Sequence, residues 1–242
     1  MKLITLHFNL KLFFYLVIAF ILCTAIGTVS HEFGHAAVTA YHGSDWTVHY
    51  DSMSPGKSTL VDSLENAYQK DKEKIKSEAA SPEKEAFFKT RERLSKKYKL
   101  EDLQMRLGGP LQTMLTGTIG FIFLWFSRKK NKFDEMLTFK EWCFVLIGFF
   151  WSRQPAILLQ KILYKCTGSN GIGDEERIAR HLHLNEWFII TLWGIIGAGI
   201  LLWITFYAIP IKQRFTFITA GLTGSLLGAA IWFGLLGPAL LP

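Results

Sequence analysis

The sequence predicts an all-α integral membrane protein of about five transmembrane helices with one extramembrane, mostly helical insert. Three observations carry that prediction. Five apolar runs approach or exceed the roughly 20 residues that a bilayer-spanning helix needs. Charge is sorted along the chain: Gly43 to Leu107 hold 13 Lys/Arg and 12 Asp/Glu, against 14 and 8 in all the rest. Half of the 242 residues are hydrophobic, which excludes a disordered chain and disfavours an ordinary water-soluble globule. The net charge of +7 lies mostly beside apolar runs, where it marks membrane orientation, so no nucleic-acid partner is expected. Cys23, Cys143 and Cys166 are too few for a disulfide framework.

Residues 1–42 form the first unit. Leu12 to Val29 carries no charge, and no small-x-small site closes it, so it reads as a span rather than a cleaved signal. Its helical pattern runs on to Tyr41, with Gly43 placed to end it. Residues 43–107 form the insert. Trp46 to Tyr50 alternates apolar and polar residues, as a strand does. Asp62, with Glu65 three residues on, opens a charged helix in capping-box fashion, and Ser81-Pro82 opens a second. The insert reads as a solvated helical hairpin at the membrane surface, and the Trp46–Tyr50 strand offers an edge to which an extended peptide can add.

Residues 108–242 hold the other four spans: Gly108–Phe126, Trp142–Leu163, Trp187–Ile209 and Phe215–Leu241. Pro155 is expected to kink the third. Gly224 and Gly228 allow close helix packing in the last. Lys2 and Lys11, the Arg128–Lys132 cluster, and Lys212 with Arg214 fall on one side by chain parity. The positive-inside rule makes that side cytoplasmic, although the Lys89–Arg106 cluster sits on the other. The compact architecture suggests a bacterial inner membrane.

The chemistry is concentrated in Ser30-His31-Glu32-Phe33-Gly34-His35 at the end of the first span. His31 and His35 stand one turn apart on one helical face, so both imidazoles reach a single Zn²⁺. Glu32 is placed as general base for the water such a metal activates. This composition gives about 0.01 chance matches to that pattern, and ionisable groups at membrane depth are costly unless functional. At 1.5 Å per residue, His31 lies roughly 28 Å along the helix from Leu12, near the far edge of the hydrocarbon.

Zinc needs a third protein ligand. The motif shares its side of the membrane with the loop Cys166 to Arg177, whereas Asp134 and Glu135 lie opposite. Asp174 is the first candidate, followed by Glu175, Glu176, His181 and His183; Asp174 also suits the N-cap of a helix Glu175–His183. Arg153, inside the third apolar run, requires a carboxylate or carbonyl partner and is assigned to orienting a carboxylate or binding substrate.

Ser30 to Ala36 at the end of a membrane helix, followed by Gly109-Pro110-Leu111 opening the next span, resembles the site-2 protease family of intramembrane zinc metalloproteases. The resemblance implies His31 and His35 as zinc ligands, Glu32 as catalytic base, an Asp from a later helix as third ligand, and Gly109 and Pro110 near the bound substrate. It also implies hydrolysis of peptide bonds in a membrane protein or membrane-associated peptide. The family's Asn-Pro signature with a downstream Asp-Gly is missing here; Gln154-Pro155 stands near its place, and Gln112 or Thr113 replaces the Asn expected after Gly-Pro. These departures mark a divergent branch. Two other classes of function fit the same residues: a catalytically inactive zinc-fold scaffold or binding module, and a small transporter subunit with a polar path through His31, Glu32, Arg153 and Asp174.

Overall fold

A computed structural model describes residues 3–56, 59–77, 81–130, 135–169 and 171–242. Five helices in it are long and apolar enough to cross a membrane. Lys2, Lys132 and Asp134 lie outside the described residues.

Helix α1 (Leu10–Tyr41) is capped by Asn9, whose side chain accepts from the Leu12 N–H. It ends where Gly43 takes φ +73°, a left-handed turn that glycine enters without steric cost. The expected single strand is half of a hairpin: β1 (Trp46–Val48) pairs antiparallel with β2 (Met53–Pro55). Asp45 with Gly56 and His49 with Ser52 form bracketing hydrogen bonds. The alternation of an antiparallel ladder then turns the N–H of Met53 outward, and Pro55, which has none, falls on the same outer edge.

Helix α2 (Thr59–Lys70) starts one turn earlier than expected, so Asp62 lies in its first turn instead of capping it. After the short α3 (Lys72–Lys76), α4 runs without interruption from Pro82 to Lys130. Its 49 residues measure about 74 Å, more than twice a hydrocarbon core. The last part of the insert and the second apolar run are therefore one helix, and the division at 107/108 falls inside it. Composition changes there while helical geometry does not.

The third of the long apolar helices is broken. Helix α5 (Phe139–Gly148) passes through a 3-10 turn (Phe149–Ser152) into α6 (Arg153–Thr167). Pro155 has no N–H to offer the Trp151 carbonyl, and that carbonyl faces Gly197, where a Cβ would stand 2.9 Å away. Helix α7 (Asp174–His181) lies between two of the long apolar helices; α8 (Glu186–Trp203) follows, then α9 (Ile211–Ile231) and a terminal turn α10 (Gly237–Leu240).

Helix α1 packs chiefly on α9 and α4. Small residues make both contacts possible. A Cβ on Gly224 would lie 2.7 Å from the Val17 carbonyl, one on Gly228 2.7 Å from Thr24 Oγ1, and one on Gly34 2.5 Å from the Gly108 carbonyl. The apolar core joins α1, α4, α5, α8 and α9 around Phe20, Leu124, Val145 and Phe217. A second cluster seats α7: Ile178 and Ala179 pack with Ile189, Leu103 and Leu107.

Candidate metal centre

His31 and His35 are buried on α1, with ring planes at 88° and Nε2 atoms 3.2 Å apart. The partners of the other ring nitrogens fix which end of each imidazole carries hydrogen. Thr113 already donates its hydroxyl to the Gly109 carbonyl at 3.1 Å, so at the 3.0 Å contact with His31 Nδ1 the imidazole is the donor. His35 Nδ1 stands 2.7 Å from the Met105 carbonyl, too short for an unprotonated nitrogen facing an oxygen, so it carries hydrogen even though the Gly109 N–H lies 3.3 Å from it. Both neutral rings therefore aim an Nε2 lone pair at the same point, the second-sphere arrangement of metal-ligating histidines.

Asp174 Oδ2 completes the figure, 3.4 Å from His31 Nε2 and 3.3 Å from His35 Nε2. A tetrahedral zinc with bonds of about 2.0–2.2 Å separates its ligands by roughly 3.3–3.5 Å. The three edges of 3.2, 3.4 and 3.3 Å fit that spacing, and three converging lone pairs repel unless a cation lies among them. The donor set of two imidazoles and a carboxylate suits zinc and leaves a fourth position open. Asp174 meets the requirement of ionisation. Burial alone would raise its carboxyl, and the charge of Arg153, 3.6 Å away, acts against burial in favour of the ionised form.

Asp174 is not an N-cap: Gly173 occupies that position and Asp174 is the first residue of α7. Successive helical side chains diverge by about 100°, and each of three consecutive acids consequently meets a different neighbour. Asp174 faces the imidazoles, Glu175 takes Arg153 Nη1 at 2.6 Å, and Glu176 takes Lys161 Nζ at 2.6 Å. His181 Nε2 is held 2.6 Å from Asp102, and His183 is exposed. The competing ligand candidates are thus engaged or turned away, and Glu135 stands near Arg128, in the other inter-span segment.

Glu32 is 7% exposed, and among the described residues none donates a hydrogen bond to its carboxylate. The ligand atoms of His31, Glu32 and His35 lie within 4.8 Å of one another. Glu32 opens onto a cavity of about 540 Å³, shared with His35, Met53, Arg106, Tyr164 and Asp174. That is the size of an ordinary small-ligand site.

Gly109 and Pro110, expected at the substrate, are buried and do not line this cavity. Gly109 instead packs directly on the imidazoles: a Cβ there would collide with His35 Nε2 and stand 2.6 Å from His31 Nε2. Gly109→Ala is therefore expected to force α4 away from α1, costing more than about 1–3 kcal/mol of stability along with the Thr113 and Met105 contacts; thermal unfolding and metal content measure both. Arg153 does line the cavity, with its guanidinium already between Glu175 and Asp174. The partners of both imidazoles escaped sequence reasoning, Thr113 having been named only as a replacement for the Asn expected after Gly-Pro. The Met105 carbonyl is backbone and leaves no sequence signal. Thr113 was readable, since it stands four residues after Gly109 and so on the same helical face.

The chain matches no protein-family model, no curated protein and no solved structure.

Proposed function

We propose that this chain is a multi-pass membrane zinc endopeptidase, a divergent relative of the site-2 proteases, acting on a membrane protein or membrane-associated peptide near one membrane surface. The observation that carries this reading is the near-equilateral triangle of His31 Nε2, His35 Nε2 and Asp174 Oδ2, with the Glu32 carboxylate, which accepts no hydrogen bond among the described residues, beside it in an open cavity.

The membrane reading rests on the outer surfaces of the helices. Phe14, Ile18, Leu22 and Ile26 are each 55–57% exposed at a spacing of four along α1, an apolar stripe suited to lipid and costly in water. Lys161 and Lys165 lie over the Trp187 ring at 5.9 and 5.2 Å, in the manner of an interfacial belt. Trp187 opens α8 on the side of the metal centre.

When bound, zinc supplies Lewis acidity toward the scissile carbonyl and lowers the pKa of a water. Thr113 and the Met105 carbonyl hold the two imidazoles in register for it. Glu32 takes the proton of the attacking water at its carboxylate and returns it to the departing amine. Because Met53 lines the cavity and its N–H faces outward, β2 rather than β1 offers the edge to an extended substrate. Met53→Pro removes that donor without touching the β1–β2 ladder. Loss of one backbone hydrogen bond, about 0.5–1.5 kcal/mol, should slow cleavage roughly three- to tenfold at unchanged zinc content; cleavage at the wild-type rate rules out strand addition there.

The reading is tested by elemental analysis of detergent-purified protein. About one zinc per chain is expected in the wild type and none in His35→Ala. A wild type without zinc, even after reconstitution, overturns the proposal.

A further inference from the structure

Arg153 occupies a costly position. It is the first residue of α6, set directly after the 3-10 turn that breaks the third span, and it works between two acids on another helix. Nη1 meets Glu175 Oε1 at 2.6 Å and Nη2 stands 3.6 Å from Asp174 Oδ2. Glu175 is completely buried, and its second oxygen, Oε2, has no hydrogen-bond partner among the described residues. A buried carboxylate with one oxygen unsatisfied is a thermodynamic loss unless it serves another purpose. Stability alone would be served as well by an apolar pair of similar volume.

We propose that Arg153 and Glu175 form a positioning clamp for the third ligand: Glu175 anchors one arm of the guanidinium, and the other arm holds the Asp174 carboxylate at its corner of the triangle. The inference rests on the metal reading above and extends it, because it gives Glu175 a role other than ligand and Arg153 a role other than substrate contact. The fork matters. A planar guanidinium spans two carboxylates in fixed geometry, which an ammonium does not. Asp174 needs the restraint because it arrives on a helix of 8 residues outside the spans, whereas both histidines ride on the 32-residue α1. Outer partners of this kind typically contribute ten- to hundredfold to metal affinity.

The test is zinc affinity of the full chain in detergent, by competition with a chromogenic chelator, alongside thermal unfolding of the zinc-free protein. Arg153→Gln alone leaves Glu175 buried and unpaired, so the main variant is Arg153→Gln with Glu175→Gln, which removes both charges together. Its zinc dissociation constant is expected to rise ten- to hundredfold while zinc-free unfolding stays near wild type. In an Asp174→Ala background the same pair should change affinity no further, because the clamp acts through Asp174. Glu175→Gln alone keeps shape and serves if the pair does not fold; it should weaken zinc less, again only when Asp174 is present. Unchanged affinity in folded variants overturns the clamp and leaves the metal site standing. So does an equal loss with and without Asp174, which marks a general structural role, or a raised KM at unchanged zinc affinity, which marks substrate contact. A wild type that binds no zinc removes the metal reading, and the clamp falls with it.

Discussion

Glu32→Gln is expected to reduce peptide hydrolysis by about 10²- to 10⁴-fold, the usual loss on removing a general base, while zinc stays at one per chain. The separation follows from geometry. His31, His35 and Asp174 form the tight triangle without Glu32, so amidation leaves the metal's protein ligands in place. The carboxylate accepts no hydrogen bond among the described residues and borders the cavity, so its loss strands no partner and the fold should survive. Cleavage of a fluorogenic peptide, measured beside zinc content, gives the answer. Activity within tenfold of wild type would put the base elsewhere. Loss of zinc would make Glu32 a ligand. This variant also separates a protease from a scaffold that only binds metal, since a scaffold has no use for an unpaired acid at that position.

Asp174→Ala is expected to reduce zinc affinity by more than a hundredfold, beyond the ten- to hundredfold typical of losing an outer partner. Two imidazoles alone make a poor zinc site. Glu175 cannot step in. Its side chain points about 100° away around α7 and is held by Arg153 at 2.6 Å. The helix itself should remain seated, because Ile178 and Ala179 are almost completely buried, and the Lys161–Glu176 ion pair and the His181–Asp102 hydrogen bond tie it to α6 and α4. Circular dichroism should therefore match wild type while bound zinc disappears. Zinc retained at wild-type affinity would reject Asp174 as ligand.

The parts of this molecule legible in the sequence are those governed by period and length. Five runs of apolar residues had only one economical solution, and the four-residue interval between His31 and His35 fixes their common face whatever surrounds them. Asp174 was reachable because chain parity leaves few acids on the right side. The rest depends on contacts between distant segments. Charge density concealed that Pro82–Lys130 is a single helix, since charged and apolar turns differ in side chains and not in hydrogen bonding. Met53-Ser54-Pro55 is too short, and its proline too unlike a strand residue, to announce β2. Gly109 reads as part of a Gly-Pro pair opening an apolar run near the substrate, yet its task is set by two imidazoles more than 70 residues away.

The crossing of Gly34 with Gly108 has a mechanical consequence. Backbone meets backbone there without side-chain cushioning, which makes it a fulcrum. From it α4 extends 26 residues to Pro82, an arm of about 39 Å, whereas Gly109 is the adjacent residue, about 1.5 Å along the axis. A displacement of the outer end about that fulcrum is geared down more than tenfold at Gly109, but only about fourfold at Asp102, where α4 holds α7 through His181.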